Sequence, residues 1–291
     1  MNRQINLGDR LVGDNEAVYF IAEIGINHNG DLQAAKKLLD ATFATDWDCA
    51  KFQKRTPDIC VPEKQKSVLR QTPWGEMTYL AYRRRVEFQK AEYDIIDRYC
   101  REKPLTWTAS VWDLPSLEFL AAYKTPFIKI PSAKITDLEL VEESAKLGKP
   151  VFLSTGMSTL EEIDAAVNLL EKHLTKNYLL FHVNSTYPAK LDELNLSVIG
   201  TLKERYDCLV GYSGHEQELM PSQIASIYGA CAIERHITLD HTMWGSDQAA
   251  SLELHGMDLL VKRVRATKKI IGNGVKIITD GEMKIREKLR G

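Results

Sequence analysis

Residues 150–185, PVFLSTGMSTLEEIDAAVNLLEKHLTKNYLLFHVNS, decide the fold. The stretch opens on a short apolar run, PVFLST, and passes into TLEEIDAAVNLLEKHL, whose apolar residues recur at helical spacing. It then returns to a second apolar run, YLLFHVNS. Each short run carries a buried-strand signal, and the segment between them reads as an amphipathic helix opening on a threonine that can cap it.

The same alternation extends in both directions. VYFIAEIGI (18–26), CAKFQ (49–53), TWTASV (106–111), FIKIPS (127–132), CLVGYS (208–213) and CAIERHI (231–237) bring the strand candidates to eight. Helical stretches such as 31–45, 113–123, 137–148 and 220–230 lie between them, several opening on Asp. Strand alternating with helix eight times predicts an α/β chain folded as one (β/α)8 TIM barrel. The single domain is expected over 1–291, with the barrel at about 17–272 and a polar, basic tail at 273–291 that has room for a short hairpin or helix. Residues 54–105 are too long for a plain connection and predict an elaborated loop with its own helices over the barrel mouth.

Length and composition agree with this. A chain of 291 residues suits a barrel that typically needs about 250. No apolar stretch approaches the roughly 18 residues of a membrane span, and the N-terminus has no export signal, so the expected location is the cytoplasm. Five scattered cysteines without a C-x-x-C pair predict reduced, buried thiols. A net charge of −2 leaves no electrostatic footprint for nucleic acid, and YRRRVEF (82–88) reads as a solvated helix face.

Barrel enzymes build their sites where strands end. Here those ends are polar: Glu23; Lys51 and Gln53; Thr108 and Ser110; Lys129 and Ser132; Ser154 and Thr155; Asn184 and Ser185; Ser213 and His215; Glu234 and His236. Strand alternation lets Lys51 with Gln53, and Glu234 with His236, point into the mouth together. Eight polar ends used as core filling would leave many groups unsatisfied. Lys51 and Lys129 with the hydroxyls of Ser110, Ser132, Ser154 and Ser213 suit a small anion bearing phosphate and carboxylate. His215 and His236, at the ends of adjacent strands with Glu23, Glu234 and Asp247 in the same region, suit a divalent cation in a partly open site. His28 and His182 are weaker candidates, and Trp74 and Trp244 are aromatics that could wall the site.

The motifs IAEIGINHNGD (21–31), AKFQ (50–53), KIPSA (129–133), LSTGMST (153–159), STYP (185–188), GYSGH (211–215) and IERHITLDHTMWGSDQ (233–248) resemble those of the sialic acid synthase family, the N-acetylneuraminate synthases and their nonulosonic-acid relatives. The resemblance implies condensation of phosphoenolpyruvate with the open-chain aldehyde of an N-acyl hexosamine, with Mn2+ or Mg2+ as cofactor, by a homo-oligomer such as a dimer. It implies Glu23, Lys51 and Lys129 as catalytic residues, and His215 and His236 as metal ligands. Lys51, Ser110, Lys129, Ser132, Ser154, Asn184, Ser185 and Ser213 would hold phosphoenolpyruvate, with Ser185 favoured of the Asn184–Ser185 pair. Gln53, Tyr187, Glu234 and Asp247 would contact the sugar.

Full-length members continue into an antifreeze-like domain that sends an arginine to the partner's acyl-sugar pocket, and a short form without it is expected here. Lys134 and His241 replace an acid and an arginine common in relatives, both on the sugar side. The rival readings are another phosphoenolpyruvate-dependent aldol synthase, against which GINHNGD and IERHITLD argue, and a non-catalytic sugar-phosphate-binding barrel.

Overall fold

A computed structural model describes residues 3–8 and 10–290. The chain begins with a hairpin, β1 (Gln4–Asn6) paired antiparallel with β2 (Leu11–Gly13). The barrel follows: β3 (Tyr19–Gly25), α1 (Leu32–Ala44) and β4 (Cys49–Lys54). An excursion then carries α2 (Pro57–Cys60), α3 (Glu63–Lys66), the antiparallel hairpin β5 (Leu69–Thr72) with β6 (Gly75–Thr78), and α4 (Tyr79–Val86). The barrel resumes with α5 (Lys90–Glu102), β7 (Thr106–Val111), α6 (Leu114–Ala121), β8 (Ile128–Ile130), α7 (Leu138–Lys146) and β9 (Val151–Ser154). It is completed by α8 (Leu160–Leu174), β10 (Tyr178–Val183), α9 (Val198–Tyr206), β11 (Leu209–Gly214), α10 (Met220–Ile227), β12 (Ala232–His236) and α11 (Leu254–Ile271). A last helix, α12 (Asp280–Arg290), is exposed throughout.

Strands β3, β4 and β7 to β12 pair in parallel around a closed barrel, β12 returning to β3. This is the (β/α)8 barrel that the eight apolar runs predict. In the 150–185 unit the expected cap is present: Thr159 accepts from the Glu162 backbone N–H, and the Glu162 carboxylate accepts from the Thr159 N–H. Excursion 54–105 holds a hairpin as well as helices. The tail forms a helix.

Period-two alternation divides the strands between two apolar regions. Phe20, Ala22 and Ile24, or Val151 and Leu153, face the helices and join the large outer core. Tyr19 and Ile21, Cys49, Phe127, Phe152, Leu179 and Phe181 face inward. The inward set is covered at the barrel's N-terminal end by Ile5, Leu7 and Val12 of the first hairpin and its turn. Phe127 and Phe152 stack there with ring centroids 4.0 Å apart. That hairpin was absent from the expected elements, because strands of three residues show too little alternation to register.

All five cysteines are free; four are buried and Cys60 is partly exposed. No helix among the described residues is long and apolar enough to cross a membrane. YRRRVEF departs from a solvated face: Arg84 and Arg85 are exposed, but Tyr82, Arg83, Val86 and Phe88 are buried.

Candidate active site

Continuing up the strands, the inward register changes from apolar to charged: Tyr19–Ile21–Glu23, Cys49–Lys51–Gln53, Phe127–Lys129, Phe152–Ser154 and Ala232–Glu234–His236. These upper residues, with Ser110, Ser132, Ser185, Tyr187, Ser213 and His215, line one cavity of about 180 Å3 to which every barrel strand contributes. Two close backbone approaches shape it. Gly25, at φ +54° beside a register shift in β3, leaves no room for a side chain between Gln53, His236 and the Glu23 carboxylate. A Cβ at Gly156 would lie 2.4 Å from Ser185 Oγ and 2.8 Å from Ser132 Oγ, and the Gly156 N–H donates to that Ser132 oxygen at 3.1 Å.

Two lysines and two glutamates form the floor. Lys51 Nζ lies 2.6 Å from Glu23 Oε2 and 3.5 Å from Glu234 Oε1. Burial acts to lower the Lys51 pKa, but Glu23 and Glu234 outweigh it and raise it above the ordinary value. Lys129 is held less tightly. It donates to Ser154 Oγ, its nearest carboxylate oxygen is Glu234 Oε1 at 3.9 Å, and its ammonium lies 5.0 Å from the Phe181 ring centroid. Burial, aided by the Lys51 charge, pulls its pKa down to about 8. Burial would push Glu234 up, but Lys129 and Lys51 outweigh it and lower its pKa; Ser213 Oγ also donates to Oε1 at 3.1 Å. Gln53 Nε2 donates to Glu23 Oε1 at 2.9 Å, so that carboxylate is held from both sides.

His215 and His236 stand side by side, ring centroids 5.5 Å apart. His215 Nδ1 lies 2.6 Å from the Asn184 carbonyl oxygen, which can only accept, so Nδ1 carries the proton. Its Nε2 is therefore a lone pair, here accepting from the Tyr187 hydroxyl at 2.9 Å. Burial and the neighbouring His236 pull the His215 pKa to about 3, keeping the ring neutral. His236 Nδ1 is buried without a hydrogen-bond partner, 3.9 Å from Asp247 Oδ2. A neutral imidazole with its second nitrogen anchored to a carbonyl, beside an orphaned imidazole nitrogen, is chemically suited to contribute two nitrogen donors to a divalent cation. Among the described residues no three His, Cys, Asp or Glu side chains gather as a cage, so these two would leave open positions.

Two expected residues stand outside the lining. The Asn184 side chain is spent on its own loop, accepting from the Thr186 N–H and hydroxyl and donating to the Glu193 carbonyl. Its contribution to the cavity is the carbonyl that anchors His215. Asp247 accepts from Ser246 Oγ, and its Oδ2 lies 3.9 Å from His236 Nδ1. His28 is buried against Phe88, and His182 lies 2.7 Å from the Leu194 carbonyl oxygen, both away from the lining. Lys134 pairs with Asp137, and His241 Nε2 meets the Ser251 carbonyl. Trp74 and Trp244 pack edge to face on each other, and Trp244 likewise on Tyr82.

Trp112 also lines the cavity, and Arg55 lies over its ring. Both were missed, yet each sits two residues beyond a predicted site residue, Ser110 and Gln53, on the same side of its strand. A larger cleft of about 980 Å3 opens at the opposite end of the barrel, where Arg10 pairs with Asp48 at 3.3 Å and Lys149 donates to the Tyr123 carbonyl at 3.1 Å.

A family model described as the NeuB family matches residues 38–276. The N-acetylneuraminate-9-phosphate synthase of Homo sapiens is 35% identical over 283 residues, 96% of this chain and 78% of that protein. The N,N'-diacetyllegionaminic acid synthase of Campylobacter jejuni is 35% identical over 268 residues, 91% of this chain and 80% of that one. Among solved structures, an N-acetylneuraminic acid (sialic acid) synthetase from Leptospira borgpetersenii in complex with citrate gives a TM-score of 0.87 at 30% identity, covering 100% of this chain and 98% of that chain.

Proposed function

The chain belongs to the NeuB family, and from that premise we propose that it condenses phosphoenolpyruvate with the open-chain aldehyde of an N-acyl hexosamine, giving a nonulosonic acid and phosphate. It would do so as a cytoplasmic homo-oligomer. One observation carries the reading. Lys129 is a fully buried ammonium whose nearest carboxylate oxygen, Glu234 Oε1, stands 3.9 Å away, and with Lys51 it lines a cavity rimmed by five serine hydroxyls. Such a charge is stabilised when an anionic ligand supplies the missing partner. The two relatives above are named for different nonulosonic acids, which supports reading the acceptor as a class rather than one sugar.

In the reaction, C3 of phosphoenolpyruvate attacks the aldehyde carbon, water adds at C2, and phosphate leaves by C–O cleavage. Lys51 and Lys129, with Ser110, Ser132, Ser154, Ser185 and Ser213, hold the phosphate and carboxylate so that C3 is already aligned. Glu23, fixed between Lys51 and Gln53, orients or deprotonates the water, or protonates the new hydroxyl. Gln53 and Tyr187 face the acceptor, with Glu234 and Asp247 behind them. His215 and His236 would hold Mn2+ or Mg2+, which supplies Lewis-acid polarisation of the aldehyde oxygen.

The test is phosphate release from phosphoenolpyruvate with a panel of N-acyl hexosamines and Mn2+. Stoichiometric phosphate and a nonulosonic acid are expected. Turnover confined to erythrose 4-phosphate or arabinose 5-phosphate, or to no acceptor at all, would overturn the proposal.

A further inference from the structure

Behind the two histidines lies a fully buried arginine that the proposed reaction does not use. Arg235 stands between Glu234 and His236, both of which line the cavity, so strand alternation turns it to the outer face of β12. It pairs there with Glu216, the residue after His215 and equally buried: Arg235 Nη1 lies 3.1 Å from Glu216 Oε1. Nη1 also donates to the Glu218 carbonyl at 3.0 Å and to Ser222 Oγ in α10 at 3.2 Å, and Nη2 donates to the Glu216 carbonyl. The Tyr212 hydroxyl donates to Glu216 Oε2 at 2.8 Å, so both carboxylate oxygens have a partner. Gly214, opposite Arg235 in the β11–β12 register, leaves the room for the pair. A Cβ there would lie 2.7 Å from both Glu216 carboxylate oxygens and 2.9 Å from Arg235 Cδ.

A buried ion pair is a poor source of cohesion. Desolvating both charges offsets much of their attraction, and an apolar pair of similar volume commonly serves stability as well. What the ion pair adds is a fixed length and direction, and the backbone around the histidines shows where that is needed. His215 is anchored toward β10: its Nδ1 meets the Asn184 carbonyl, its Nε2 the Tyr187 hydroxyl, and its own carbonyl accepts from the Ala189 N–H at 3.0 Å. His236 is anchored toward β3, with which β12 stays paired as far as His236 and Glu23. Between the two, the β11–β12 ladder ends at Gly214 and Arg235, one residue short of both imidazoles. Arg235 carries the connection past that end, from β12 to the 216–222 turn.

We propose that Arg235 and Glu216 are positioning residues: the buried pair sets the separation of His215 and His236, and through it their affinity for a divalent cation. This rests on the metal reading of those histidines given above. Neither residue lines the cavity, and each acts through its neighbour in the chain. A site with two side-chain donors is sensitive to their spacing, because a displaced imidazole leaves no third to compensate. Phosphoenolpyruvate, held in the proposed reaction chiefly by Lys51 on β4 and Lys129 on β8, should not register the change.

The test removes the charges and keeps the volume. Mn2+ affinity in the absence of substrates, read from the paramagnetic resonance signal of free Mn2+, is compared in wild type, Arg235→Lys, and a combined Arg235→Met, Glu216→Leu and Tyr212→Phe variant in which no hydroxyl is left unpaired. Thermal melting and calorimetric phosphoenolpyruvate binding accompany it. The combined variant should still melt cooperatively and bind phosphoenolpyruvate as wild type does, yet bind Mn2+ about 10- to 100-fold more weakly. Arg235→Lys, which keeps the charge and loses the planar fork, should fall between. A folded combined variant with wild-type Mn2+ affinity makes the pair a matter of cohesion and overturns the proposal. A combined variant that cannot fold overturns it too, as does an equal loss of Mn2+ and phosphoenolpyruvate binding, which marks general distortion. Wild type that binds no Mn2+ removes this inference together with the metal reading. Mn2+ binding that is present in wild type and weakened in the variant, with no turnover on any acceptor, counts against the condensation alone and still supports the pair.

Discussion

At the N-terminal end of the barrel the inward side chains of Tyr19, Cys49, Phe127, Phe152, Leu209 and Ala232 meet one another under Ile5, Leu7 and Val12. Two to four residues higher on the same strands, the inward side chains are Glu23, Lys51, Lys129, Ser154, Ser213 and Glu234. One set of strands therefore spans two media. The inward side chains of the lower half are apolar. In the upper half Lys129, His236 Nδ1 and Arg55 Nε are buried without full partners. The contrast assigns cohesion to one end and ligand affinity to the other, because apolar burial is satisfied by folding alone while buried charge needs a further partner.

That division can be broken by experiment. The largest expected effect is at the histidines: chelator should reduce turnover by about 1,000-fold and Mn2+ should restore it, the scale of losing Lewis-acid stabilisation of several kcal/mol. His236→Ala should behave like the chelated enzyme while calorimetry still detects phosphoenolpyruvate binding. Full activity in excess chelator would remove the metal from the mechanism.

At the opposite end, Phe152→Ala should cost about 3–5 kcal/mol in denaturant unfolding, with the KM for phosphoenolpyruvate of the folded protein unchanged. A raised KM with unaltered stability would show that the two ends are not independent.

Lys129→Ala should lower kcat/KM by about 100- to 1,000-fold with a thermal midpoint close to wild type. Unfolding of this variant would instead make Lys129 a structural residue. The wild-type pH profile sharpens the point. Since the Lys129 pKa in the folded protein, about 8, lies below its ordinary 10.5, phosphoenolpyruvate affinity should weaken as pH rises past about 8. The folded state also binds this proton less tightly than the unfolded chain does. The penalty of charging Lys129 is thus fully present below pH 8 and relieved as pH climbs toward 10.5, so binding and this contribution to stability change in opposite directions.

The smallest effect belongs to the hairpin. Ile5→Val should cost about 0.5–1.5 kcal/mol and leave the kinetics untouched, as read by denaturant midpoint and initial rates.

Much of this was legible in sequence for a specific reason. The strand at Thr106–Val111 matches its apolar run residue for residue, and Glu23, Lys51, Ser110, Lys129, Ser154, Ser213 and Glu234 are upper inward residues because period-two alternation is a property of the strand itself. The same rule, carried one step further, would have reached Arg55 and Trp112.

What alternation could not supply lies in contacts between distant segments. Nothing local announces that Gln4–Asn6 and Leu11–Gly13 fold under the barrel, since their burial depends on inward residues from seven other strands. Nothing in YRRRVEF shows that Arg83 is buried while Arg84 and Arg85 stay in water, because that follows from how Arg83 packs against Tyr79 and Tyr82. Asn184 looks like a ligand by side chain and serves by its carbonyl, a choice made by the 2.6 Å approach of His215 from the next strand. The sequence by itself determined the eight-strand register and the chemical types gathered at its upper end, because both are set by local periodicity. Which of those groups are paired and which are left for a ligand was decided only when barrel closure set their separations.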